Sequence, residues 1–233
     1  MVKDQAIAML NKNVLVALAD THSKANARQL ACELINDGHV KVFFIEFPAS
    51  AKSGNQGIAK KYGDTLNAAI SKMLEEHLDR DAARDRLDSG GYFTGLNKQD
   101  AQPNLLDLAA LCIGKGVQVV ACDLSPTDTM TKLDEIAPQY KPHSIHSVVE
   151  PWGLGVRDKY AASMIGNSLK TAKNVTAGKL MMWGANHLTL DESQATKGKS
   201  QEERLKDLET ERGAKLLGQL IQDQGIQVQV LVP

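Results

Sequence analysis

The stretch Gly178–Leu188, GKLMMWGANHL, decides the fold. Leu180, Met181, Met182 and Trp183 follow one another with no polar side chain between them. A short apolar run of this kind suits a strand covered on both faces, as in a parallel sheet. The run closes on an amide and an imidazole, Asn186 and His187, where an ordinary turn would suffice. A distant stretch, Val14–His22, VLVALADTH, repeats the pattern and closes on Asp20, Thr21 and His22. Two buried strands that each end in a histidine frame the rest of the reading.

Five strands are expected on this criterion: Asn13–Ala19, Val40–Glu46, Val117–Asp123, Lys179–Gly184 and Ile226–Val232. Helical periodicity fills the intervals over Lys24–Asp37, Asn55–Asp79, Leu105–Gly114, Ser125–Ala137, Lys159–Thr171 and Glu202–Gln222. Gly38 supplies a C-terminal stop, and Ser125-Pro126 an N-cap followed by a first helical residue. Strands that alternate with helices give an α/β fold, a mostly parallel sheet flanked by helices on both faces. One domain over residues 1–233 is expected, with irregular insertions around 80–104 and 139–155. Loops of that length often act as lids or binding loops. Thr189–Gln201 is polar and is expected to be mobile.

The chain has 233 residues, 42% of them apolar and 24% charged, the composition of a globular protein. A formal net charge of -1 and 4% aromatics exclude the basic field and the stacking platform that nucleic acid binding needs. No apolar run approaches the roughly 20 residues of a membrane-spanning helix, so no membrane span is expected. The N-terminus, MVKDQAIAMLNKN, lacks the apolar segment of a secretory signal. The expected location is therefore the cytoplasm, or the exterior by export without a cleavable signal peptide. Cys32, Cys112 and Cys122 show no metal-ligand spacing and are expected as buried reduced thiols.

In an open parallel sheet, ligands bind at the carboxyl ends of the strands. The residues placed there are Asp20 and His22, Glu46, Asp123, and Asn186 and His187. An aspartate after a strand also caps the next helix, so Asp20 and Asp123 admit a structural role as well. Glu46 is harder to explain that way. It follows Val-Phe-Phe-Ile out of a buried strand, and a buried carboxylate needs a partner, sought in Arg157 or a histidine.

These residues bear a resemblance to a known group. ADTH (Ala19–His22) and GANH (Gly184–His187) resemble the two GxxH motifs of the TraB/TIKI superfamily, which includes erythromycin-esterase-like and ChaN-like proteins. FIEFP resembles its strand-ending glutamate segment. VRDKYAASMI (Val156–Ile165) resembles the RDxxMA helix of the esterase branch. The chain departs from the pattern in Ala19, which replaces the first glycine, and in Ala161, which replaces a methionine. The resemblance implies a hydrolase in which His22, Glu46, Arg157 and His187 are catalytic, supported by Asp20, Asp123, Asp158 and Asn186. The substrate would be a small molecule or a peptide, with the bond an ester or a peptide.

In that scheme a histidine takes a proton from water, Glu46 orients it, Arg157 holds an anionic group, and His187 handles the second proton. His22, Glu46 and His187 are also suitable ligands for a divalent metal, zinc, manganese or cobalt. Two other implications of the resemblance stay open. One is haem binding in the ChaN manner, with Tyr140, His143 and His146 as a candidate set. The other is a bacterial toxin or secreted virulence effector that acts by touching a host protein.

Overall fold

The computed structural model describes residues 2–21, 24–93, 102–138, 143–171, 175–190 and 199–233. Five strands form one sheet: β1 (Leu15–Asp20), β2 (Val42–Pro48), β3 (Gln118–Asp123), β4 (Lys179–Gly184) and β5 (Val228–Leu231). Their order across the sheet is β3-β2-β4-β1-β5, and every pairing is parallel. The expected α/β class is the class observed.

The order explains which helix lies where. From β1 to β2 to β3 the chain advances in one direction across the sheet, and from β3 to β4 to β5 it returns. Right-handed crossovers then place the two sets of helices on opposite faces. On the first face lie α1 (Val2–Leu10), α2 (Asn26–Asn36), α3 (Gln56–Tyr62), α4 (Leu66–Glu75), α5 (Arg80–Ser89) and α6 (Leu105–Gly114). They pack on Val16, Leu18, Phe43, Ile45, Leu180 and Met182. On the second, α8 (Pro151–Thr171) and α11 (Leu217–Gln222) cover Leu15, Ala17, Phe44, Met181 and Trp183. Alternate side chains of each strand therefore serve alternate cores, which is why the strands read as unbroken apolar runs.

Around α8 stand α7 (Pro126–Ile136), a 3-10 turn (Ile145–Val148), the short α9 (Ala185–Leu188) and α10 (Gln201–Arg212). Here the expectations need correction. The helix expected over Asn55–Asp79 is two, parted at Gly63, whose φ of +112° is open only to glycine, and restarted by Thr65, which caps Ala68 N. The helix expected over Glu202–Gln222 is also two, parted at Gly213 in the left-handed conformation. The insertion around 139–155 is helical in part, because Pro151 opens α8 eight residues before the expected start. Within the insertion around 80–104, α5 covers Arg80–Ser89, and residues 94–101 lie outside the described set. Most of Thr189–Gln201 lies outside it too.

The edge strand β3 is closed by a side chain. Asn67 of α4 donates from Nδ2 to Ala121 O at 2.9 Å and accepts from Ala121 N at 2.8 Å. The edge-facing backbone groups of Ala121, buried in this strand, are thereby satisfied. Asn67→Ala is expected to cost about 2–3 kcal/mol through two unpaired backbone groups, measured as a lower urea midpoint with an unchanged slope.

Candidate functional site

The crossover pattern also fixes where a site can form. β2 and β1 lead to helices on the first face, while β4, which lies between them, leads to helices on the second. The carboxyl end of β4 is therefore the crevice between diverging connections, where ligands bind in open α/β sheets. Gly184 ends β4, and α9 follows at once and carries His187. His187 is 3% exposed.

Glu46 lies on the face of β2 opposite Phe43, Ile45 and Phe47, which places it towards α8 and this crevice. Ile45 pairs with Ala121 and Pro48 with Asp123, so three steps of β2 match two of β3. The Glu46 carboxylate accepts from Gly184 N on Oε2 at 2.5 Å and from Arg157 Nη2 on Oε1 at 2.6 Å. Arg157 also reaches Asp123, donating from Nε at 3.0 and 3.2 Å and from Nη2 at 2.5 Å. Its planar fork thus ties the ends of β2 and β3 to α8.

The next residue of α8, Asp158, is wholly buried and points to His187. Its Oδ1 lies 2.5 Å from His187 Nδ1, while His187 Nε2 lies 3.5 Å from Glu46 Oε1. The imidazole thus stands between two carboxylates. Behind Asp158 is Arg212, the last residue of α10, with Nη1 3.6 Å from Asp158 Oδ2 and Nη2 donating to Asn186 O at 2.7 Å.

Burial sets the direction of several protonation equilibria. It pushes the Asp123 carboxyl above its usual value, against the pull of Arg157. It pushes Asp158 up as well, opposed by His187 and then Arg212. Burial pulls His187 down, but Glu46 and Asp158 outweigh it, and the imidazole stands above its ordinary 6.5. Arg157 is held above its usual range, since Asp123 and Glu46 overcome its desolvation. The site is thus arranged to favour the protonated, proton-donating form of His187.

Of the residues singled out from the sequence, Glu46, Asp123, Arg157, Asp158 and His187 come together. Asn186 is exposed and contributes its backbone carbonyl to Arg212. Asp20 pairs with Arg28 of α2 at 3.7 Å, both being buried, and the α2 N-terminus at Ala25 has no side-chain cap. His22 lies outside the described residues, as does Tyr140. His143 Nε2 lies 3.3 Å from Ala137 O, and His146 is exposed. Cys112 and Cys122 are buried, Cys32 is half-buried, and all three are free thiols. Sequence reasoning missed Arg28 and Arg212, whose neighbours read as ordinary helix faces. The one local signal was Gly213, a helix stop placed directly after Arg212.

Among the described residues, no three His, Cys, Asp or Glu side chains are placed to hold a metal ion. Glu46 already accepts from a guanidinium and an amide, and His187 Nδ1 faces Asp158. The described donor set does not fit a divalent cation, whose place beside Glu46 and Asp123 is taken by Arg157. A cleft of about 570 Å³ opens beside Asn186 and Arg212, walled by Leu154, Leu190 and Leu208 together with Lys199, Arg204, Asp207 and Glu211. Among the described residues no helix is long and apolar enough to cross a membrane. No protein-family model, curated protein sequence or solved structure matches the chain.

Removing the guanidinium exposes the cost of the carboxylates it joins. Arg157→Met is expected to lose about 3–5 kcal/mol at pH 7. The loss should shrink on acidification as Asp123, which burial holds above its usual value, takes up a proton, and urea unfolding at pH 7 and at acid pH checks it. The linkage for His187 has the opposite sense. A folded pKa above the unfolded value gives stability that is complete below about 6.5 and is lost as pH rises through the folded value. Wild-type stability should therefore decline on the alkaline side of 6.5, and His187→Gln should remove that decline.

Proposed function

We propose that the chain is a hydrolase of the erythromycin-esterase and TIKI type that cleaves an acyl bond, ester or amide, by direct attack of water. His22 takes a proton from the water as its oxygen bonds to the carbonyl carbon. The C–O or C–N bond then breaks, and His187 gives its Nε2 proton to the leaving group. Glu46 and Asp158 hold the imidazole in place, and Arg157 keeps Glu46 and Asp123 charged within a buried rim. The cleft beside Asn186, lined in large part by Lys199, Arg204, Asp207, Glu211 and Arg212, gives room for a polar or charged part of the substrate.

The observation that carries this reading is the placement of His187 between Asp158 and Glu46, with Glu46 linked through Arg157 to Asp123. A positioned acid or base of this kind supplies about 100- to 10,000-fold in rate. The test is a panel of aryl esters, lactones and peptides at pH 7. Turnover of one class is expected, with a fall of about that size in His187→Gln and Glu46→Gln while far-ultraviolet circular dichroism is retained. A His187→Gln enzyme that turns over its substrate at the wild-type rate removes the reading.

A further inference from the structure

We infer that Arg212 is a positioning residue of the proton-transfer centre: it holds Asp158 as the carboxylate that faces His187 Nδ1, and so reserves Nε2 for exchange with substrate. The inference rests on reading His187 as the proton-transfer group.

Three observations carry it. Asp158 is 0% exposed, and its two oxygens are divided, Oδ1 to His187 Nδ1 at 2.5 Å and Oδ2 towards Arg212 Nη1 at 3.6 Å. A carboxylate so deeply buried beside one imidazole can hold the shared proton itself and become a neutral acid. A second cation opposes that and keeps the proton on Nδ1. Arg212 also grips the other half of the pair, because its Nη2 donates to the carbonyl of Asn186, the residue before His187.

The second observation is that Arg212 is buried with its donors only partly satisfied. The side chain is 7% exposed, and its Nε and Nη1 have no hydrogen-bond partner among the described residues. Unpaired buried donors are costly, so what holds Arg212 here is its charge beside buried Asp158 and its bond to Asn186 O.

The third is that the backbone is shaped to deliver it. A Cβ on Gly155 would stand 2.0 Å from Arg212 O and 3.3 Å from Ala214 Cβ, so only glycine lets α10 end against α8 there. Gly155 lies three residues before Asp158, on the same side of the helix. Gly213, at φ +63° beside the Trp152 ring, turns the chain away directly afterwards.

The test reads the imidazole and not turnover, so it stands or falls apart from the hydrolase reading. With ¹⁵N-labelled histidine, wild type is expected to show a far-downfield proton bonded to His187 Nδ1. Arg212→Gln, which retains a donor for Asn186 O, should lose that resonance or move it upfield, and Arg212→Lys should keep it. Gly155→Ala displaces Arg212 without altering its charge and should reproduce the Arg212→Gln spectrum. It is the deciding variant if Arg212→Gln fails to fold. A folded Arg212→Gln with the wild-type resonance overturns the inference. So does a wild type without it, or its equal loss in Arg212→Lys and Arg212→Gln.

Discussion

One guanidinium holds the functional end of this molecule together. Glu46 and Asp123 end neighbouring parallel strands, and the parallel direction leaves both carboxylates on the same rim. Two such groups, largely shielded from water, repel each other and favour protonation. Arg157 pairs with both at once and offsets part of their charge. It enters from α8, so the same contact fixes the helix to the rim and sets the depth of Asp158, one residue on. A lysine would reach one carboxylate as a point charge but would not span two with a planar fork.

The remaining geometry follows from that anchor. Successive residues of a helix point about 100° apart, so Arg157 and Asp158 cannot address the same group. Arg157 takes the ends of β2 and β3, and Asp158 takes the residue just beyond β4. Glu46 links the two halves, with one oxygen on Arg157 and the other on the amide of Gly184. Strand alternation turns Glu46 towards α8 while Ile45 and Phe47 stay in the first core. Backbone and side chains of three strands thus meet at the crevice that the strand order creates.

How much of this was legible in the sequence depended on whether a feature was local. Lys179–Gly184 reads directly as a strand because burial on both faces leaves an unbroken apolar run, and the observed limits are the same. Glu46 was conspicuous because a carboxylate that leaves such a run needs a partner. The helix breaks at Gly63 and Gly213 were not legible, since the apolar spacing continues through both and a single glycine inside a helical pattern is often tolerated. Pro151 was taken as a mark of irregularity, yet at a first helical turn it starts a helix. Arg28 and Arg212 were invisible for a different reason. A charged side chain on a helix is normally solvated, and only the tertiary arrangement of α2 over β1, or of α10 over α8, removes these two from water.

The network has a charge balance that bears on its chemistry. When ionised, Glu46, Asp123 and Asp158 supply three negative charges, against three positive ones from Arg157, Arg212 and protonated His187. The cluster is neutral only while His187 carries both protons. In a medium of low polarity, giving up the Nε2 proton leaves one uncompensated negative charge, a state that water solvates poorly at 3% exposure. The proton therefore passes favourably only to an acceptor more basic than the imidazole, such as an alkoxide or an amide nitrogen as its bond to carbon breaks. A water molecule in the ground state is no such acceptor. On the hydrolase reading, this imbalance times the transfer to bond cleavage, and the same excess negative charge draws a proton back to His187 before the next cycle.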